Sequence, residues 1–275
     1  MNRFGFVPPI KDENDYHFGG IFSLPKVILQ ADGNWAPYLP LYERQYGNGW
    51  DSFGCTVFGT LNAIETLSKK YFGKDWDYAE RYNYNLVGVT SPGADPKKVA
   101  QSVREYGVIN QEELPMTNSS KEFSTPRPMT QELIGKGLRW LKGQSFGYEW
   151  VFQDEKDINK RHQLIKECLR YSPLGVSVSA WQSPENGAFP SNGQPNNHWC
   201  MAFKIDDKGQ VYIFDSYDQS MKLLTSDHDI GYCMRYNLSV SPEEIQKSYV
   251  SILQKFMEIL KSYVSILSKG LGLSK

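Results

Sequence analysis

Two side chains in this sequence have the chemistry of a nucleophile and its base. Cys55 stands in "DSFGCTVFGTLNAIE", just after a turn-prone Asp-Ser-Phe-Gly and at the head of an apolar period of threes and fours. A thiol at a helix N-terminus meets unsatisfied backbone N–H groups and the positive end of the helix dipole. Both favour thiolate. His198 opens "HWCMAFKID", after the polar, Gly- and Asn-rich "ENGAFPSNGQPNN", so it stands at the open end of a strand. Each has a plainer reading by itself. Free cysteines are mostly buried and inert, and a histidine beside apolar residues is more often part of a core. A third residue changes the balance. Asp215 follows His198 by seventeen positions, across strand, turn and strand. In a hairpin of that length the two lie near the same end, so the carboxylate can accept from one ring nitrogen while the other faces a thiol.

The elements that must position these groups can be read from periodicity. Val57, Phe58, Leu61, Ile64, Leu67 and Tyr71 mark one face of a helix, with Asp51 or Ser52 able to cap its start and Gly73 able to end it. "DWDYAERYNYNLVGV" reads as a second helix. "DPKKVAQSVREYGV" reads as a third, capped by Asp95 with Pro96 in its first turn. Residues 117–130 read as a polar linker and 130–142 as a short helix. "YEWVF" follows as a strand, then "EKDINKRHQLIKECLRY" as a helix. "LGVSVSAW", "HWCMAFKID", "QVYIFDSYD" and "GYCMRYNLSV" read as further strands. A helix-rich half followed by a strand-rich half is the order of an α+β protein of two lobes.

Composition narrows the function. Hydrophobic residues make up 40% of the 275, enough for a sizeable core, and the net charge of −1 comes without a clustered basic patch. Nucleic-acid binding is therefore not expected. No apolar run is long enough to span a membrane. The N-terminus lacks the pattern of a secretory signal, which points to a cytoplasmic or virion-associated protein. The four cysteines Cys55, Cys168, Cys200 and Cys233 form no C-x-x-C pair, so no zinc site is expected. Cys168, Cys200 and Cys233 read as core. His17 and His228 read as solvated loop residues, and His162 as a residue at a helix surface or core edge.

Taken in order, these segments resemble a papain-like cysteine peptidase, including its phage-encoded and bacterial relatives. "DSFGCTVFGTLNAIE" is similar to the nucleophile loop and helix, with Thr56 where the family usually has Trp. "SPLGVSVSAW" and "NHWCMAFKI" are similar to the strand before the base and the strand that carries it. "FDSYD" is similar to the family's Asn-Ser-Trp-Gly, with Asp215 as the orienting residue and Tyr217 in place of the shielding Trp. The likeness runs from about Gln45 to Met234. It implies a papain-like fold over 1–240, with a helical lobe over about 46–130 and an antiparallel, barrel-like lobe over about 131–240. It also implies hydrolysis of peptide or amide bonds through a thioester at Cys55, without a metal or organic cofactor. The family's oxyanion Gln lies six residues before its Cys, where this chain has Gly49. Gln45 is the favoured replacement and Asn48 the alternative. A papain fold that has lost catalysis and serves as a binding or structural module is a second reading. A peptidoglycan amidase or endopeptidase with the same triad is a third.

The tail, 241–275, is distinct. Ser241-Pro242-Glu243-Glu244 has the form of a helix start. "KSYVSIL" occurs twice, and Ile245, Tyr249, Ile252, Phe256, Ile259, Tyr263 and Ile266 alternate steps of four and three. An amphipathic helix over 243–269 follows, able to pack on its own domain, to self-associate or bind a partner protein, or to lie on a membrane surface.

Overall fold

The computed structural model describes residues 5–47, 50–117, 119, 122–123, 129–217, 221–241, 253–254, 256–264 and 266–267. The chain divides into two compact units, Met1–Ser239 and Val240–Lys275.

In the first unit the described elements follow in this order. Three short strands, β1 (Gly5–Phe6), β2 (Tyr46–Gly47) and β3 (Trp50–Asp51), lead to helices α1 (Cys55–Phe72) and α2 (Glu80–Val87). Strand β4 (Gly93–Ala94) precedes α3 (Pro96–Tyr106) and α4 (Gln131–Gly143), then β5 (Gln144–Gln153) and α5 (Ile158–Cys168). Strands β6 (Leu174–Val178), β7 (His198–Ile205), β8 (Val211–Phe214), β9 (Met221–Leu223) and β10 (Ile230–Val240) complete it. The α+β class read from the sequence holds. The second half is built on one six-stranded sheet of order β5-β10-β6-β7-β8-β9, in which β10/β6, β6/β7, β7/β8 and β8/β9 pair antiparallel.

Local chemistry explains the helix ends. Asp95 accepts from the Lys97 N–H with Pro96 behind it, and Thr130 and Asp157 cap α4 and α5 in the same way. Gly73 closes α1 at φ 66°, a left-handed conformation that costs glycine little. The start of α1 departs from expectation. Neither Asp51 nor Ser52 caps it; Gly54 occupies the cap position without a side-chain bond. The two polar residues instead shape the turn before the helix. Asp51 Oδ1 accepts from the Phe53 N–H and Ser52 Oγ from the Gly54 N–H, while Phe53 takes φ 56°.

α1 is the core of the unit. Val57, Phe58, Leu61, Ala63, Ile64 and Leu67 are fully buried. Its approach to β7 depends on Gly59, where a Cβ would lie 2.9 Å from Trp199 Cδ1 and 3.2 Å from the Cys200 Cα. Any larger residue would hold the N-terminal turn of α1 away from the strand. Cys168, Cys200 and Cys233 are buried, and all four cysteines are free. The N-terminal segment runs over the core with little regular structure. It is pinned by the buried Trp35, whose Nε1–H donates to the Leu169 carbonyl at 2.6 Å.

In the second unit the described residues from 253 to 267 are helical, and Leu253, Phe256, Ile259, Leu260, Tyr263, Ile266 and Leu267 are exposed. The expected helix start at 242–244 and the seam residues Ile245, Tyr249 and Ile252 lie outside the described residues. No helix among the described residues is long and apolar enough to cross a membrane.

Candidate active site

The sheet register brings His198 and Asp215 together. Met201 pairs with Phe214, so the same register sets Asp215 opposite Cys200 and diagonal to His198. Diagonal neighbours on one face of an antiparallel pair are within side-chain reach. His198 Nε2 lies 2.5 Å from Asp215 Oδ1, and both side chains are fully buried. Cys55 reaches the same place from the helix side. It is the first residue of α1, one turn before Gly59, which packs against Trp199 and Cys200. The head of α1, which carries the nucleophile candidate, thus packs against the first residues of β7, the strand that the base candidate opens.

The electrostatics of the three are uneven. Burial pushes the Cys55 thiol well above its ordinary value, and the Asp51 and Asp215 carboxylates push in the same direction; hydrogen bonding from the Trp199 and Thr56 backbone works against them. Burial also pushes Asp215 upward. There the balance reverses, because His198 and Lys222 together hold its carboxyl below the usual range.

Lys222 was not singled out in the sequence. In "SMKLLT" it stands between two apolar residues. The structure inverts that alternation, with Met221 exposed and Lys222 buried. Lys222 pairs with Ile213 across β8/β9, which places it diagonal to Asp215 on the face that carries His198. Its Nζ lies 2.6 Å from Asp215 Oδ2 and also donates to the Tyr217 carbonyl. The two carboxylate oxygens therefore have separate tasks, Oδ1 toward imidazole and Oδ2 toward ammonium. Only the register of three adjacent strands exposes this.

Gln45 is fully buried against the same loop. Its backbone N–H donates to the Ser216 carbonyl at 3.1 Å, its Oε1 accepts from Ser216 Oγ at 2.9 Å, and its Nε2 donates to Asp51 at 3.0 Å. It thus ties the loop after Asp215 to the turn before Cys55. Asn48 lies outside the described residues. Tyr217 packs edge-on to the His198 ring at 6.2 Å and against Tyr46 at 4.6 Å. Trp181, also missed in the sequence, packs edge-on to His198 from another side at 5.7 Å. His228 is not the solvated loop residue expected. It is 3% exposed, hydrogen-bonded through Nδ1 to the Phe189 carbonyl and packed beside Trp181. The long "ENGAFPSNGQPNN" loop folds back over it, which local composition does not reveal. Asp51, Ser52 and Phe53, immediately before Cys55, line a depression of about 380 Å³ together with Tyr84, Thr90 and Phe123.

No family model matches this sequence, nor does any curated protein. Solved structures do match. Xylellain, a cysteine protease from Xylella fastidiosa, superposes with a TM-score of 0.57 at 14% identity, over 87% of this chain and 96% of its own. The fold is papain-like. A clostridial cysteine protease after propeptide cleavage gives 0.55 at 10% identity, over 74% of this chain and 57% of that one. A cysteine protease from Carica candamarcensis gives 0.50 at 14%, over 74% and 96%. At such identities the likeness concerns the fold, and the chemistry rests on the side chains just described.

Proposed function

We propose that the chain is a cysteine peptidase that cleaves peptide or amide bonds through a thioester at Cys55. The observation that carries this is the His198 Nε2–Asp215 Oδ1 contact of 2.5 Å, on a strand packed against the buried helix that Cys55 begins. In this reading Asp215 orients the ring so that its other nitrogen takes the thiol proton. The thiolate attacks the carbonyl carbon, and the oxyanion is received by the Cys55 N–H and the Gln45 side-chain amide. His198 then protonates the leaving amine, and water hydrolyses the thioester. One such side-chain donor is typically worth about 3 kcal/mol of barrier. A glutamine amide nitrogen carries two N–H groups, and that of Gln45 is held in place by its bond to Asp51. The depression beside Asp51–Phe53 offers a place for a substrate side chain. The peptidoglycan-directed variant uses the same triad and differs only in substrate, which digestion of purified cell wall would reveal.

A second reading, a silent papain-like binding module, is favoured by one feature. Cys55, His198 and Asp215 are all fully buried, and the thiol is held protonated by that burial. Incubation with an epoxide or vinyl-sulfone reagent at pH 7, followed by mass mapping, separates the two. The peptidase reading expects a single adduct on Cys55 that disappears in His198→Ala and in Cys55→Ser. Absence of any Cys55 adduct in the folded wild-type protein would overturn it.

A further inference from the structure

Away from the triad, four carboxylates converge on the helical side of the first unit. Glu65 is fully buried on α1, Glu80 is fully buried at the start of α2, Asp77 precedes α2, and Glu43 lies two residues before Gln45. One carboxylate oxygen from each of Glu43, Glu65 and Asp77 lies within 4.8 Å of the other two. Glu80 is a separate observation. Its side chain is 0% exposed, neither carboxylate oxygen has a hydrogen-bond donor from outside the cluster, and it faces Glu43 and Glu65. Among the described residues no Lys or Arg forms an ion pair with any of the four. Their neutral donors among the described residues are the Tyr78 N–H on Glu65 at 2.7 Å and Gln111 Nε2 on Glu43 at 2.7 Å. A buried carboxylate without a partner is costly.

We propose that Glu43, Glu65, Asp77 and Glu80 form a binding site for a hard divalent cation of the calcium type. The donor set is all carboxylate oxygen, which selects calcium-like over thiophilic metals. Calcium sits about 2.3–2.6 Å from its ligands, so two ligand oxygens on opposite sides are at most about 5 Å apart, and the 4.8 Å limit here fits. Asp77 is exposed and Glu43 half-buried, which leaves an entrance and room for water ligands beside the two fully buried glutamates. Glu65 lies ten positions after Cys55, about 15 Å along α1, so the ion has a structural task. It ties α1, the start of α2 and the segment that carries Gln45. The proposal stands independently of the peptidase reading.

The test uses the full chain, stripped with chelator and dialysed at pH 7. Calcium is titrated calorimetrically, and terbium luminescence is read under excitation of the nearby Trp76 and Tyr78. We expect one ion per chain, a higher melting temperature with calcium than with chelator, and sensitised terbium emission that calcium displaces. Asp77→Asn, on an exposed side chain, should fold and weaken binding at least tenfold, and Glu80→Gln should abolish it. No binding heat and no terbium emission up to about 5 mM ion, with a melting temperature indifferent to chelator, would overturn the site. Undiminished affinity in both variants would overturn it as well.

Discussion

Replacing Lys222 with Met tests whether the buried charge arrangement around Asp215 is understood. The Lys222 side chain is 2% exposed and that of Asp215 0%, so solvent cannot take the place of the lost ammonium. Met fills a similar volume and removes the charge and its hydrogen bonds, to Asp215 Oδ2 at 2.6 Å and to the Tyr217 carbonyl. Removing one member of a buried pair typically costs about 3–5 kcal/mol, mostly for the charge left behind. Asp215 keeps His198 on its other oxygen, so the lower end, about 3 kcal/mol, is expected. In a unit of this size each kcal/mol moves the melting temperature by about 2–4 °C; Lys222→Met should therefore lower it by about 6–12 °C. The second arm is Lys222→Met with Asp215→Asn. It keeps the shape, gives His198 an uncharged partner and leaves no orphan charge, and it should recover at least half of the loss. Thermal unfolding followed by circular dichroism and by tryptophan fluorescence reads both variants. A fall of less than about 2 °C in the single variant, or a double variant no better than the single, would refute the argument that Asp215 is ionised and needs both partners.

Three further outcomes follow from the same geometry. Gly59→Val places carbon where Trp199 Cδ1 is 2.9 Å from the Cβ alone, so it should cost at least about 1–3 kcal/mol in urea unfolding and lower Cys55 labelling, with Gly59→Ala intermediate in both. Because Asp215 is held below its ordinary value of 3.8, its contribution to stability is fully present above that pH and is lost as pH falls through the lower folded value. The stability advantage of wild type over Asp215→Asn should accordingly shrink in acid melts below about pH 3.8, and a gap independent of pH there would contradict it. Burial holds the Cys55 thiol well above 9.0, so in His198→Ala residual alkylation of Cys55 should rise only at alkaline pH; half-maximal labelling near neutrality in that variant would show that the thiol needs no base.

How far the sequence reaches depends on the range of the interaction. The head of α1 at Cys55, the cap at Asp95 and the β7–β8 hairpin linking His198 to Asp215 were all legible. Each is set within one helical turn or one hairpin, where periodicity and turn residues act locally. The same locality explains the errors. Asp51 and Ser52 are good cap residues by type, yet the left-handed Phe53 spends their oxygens on the turn instead. His228 sits in a polar stretch by composition and is buried because a loop from thirty-nine residues earlier closes over it.

By itself, then, the sequence determined the main helices and long strands, the α+β order, and which thiol, ring and carboxylate were available to meet. Only the tertiary structure decided their company. Lys222 joins Asp215 through the register of three strands, Gln45 is locked to Ser216 across 171 positions, and Glu43 meets Glu65 and Glu80 from three different segments. Local propensity carries no record of such pairings, because burial of charge against charge is settled by packing between distant segments, after the elements themselves exist.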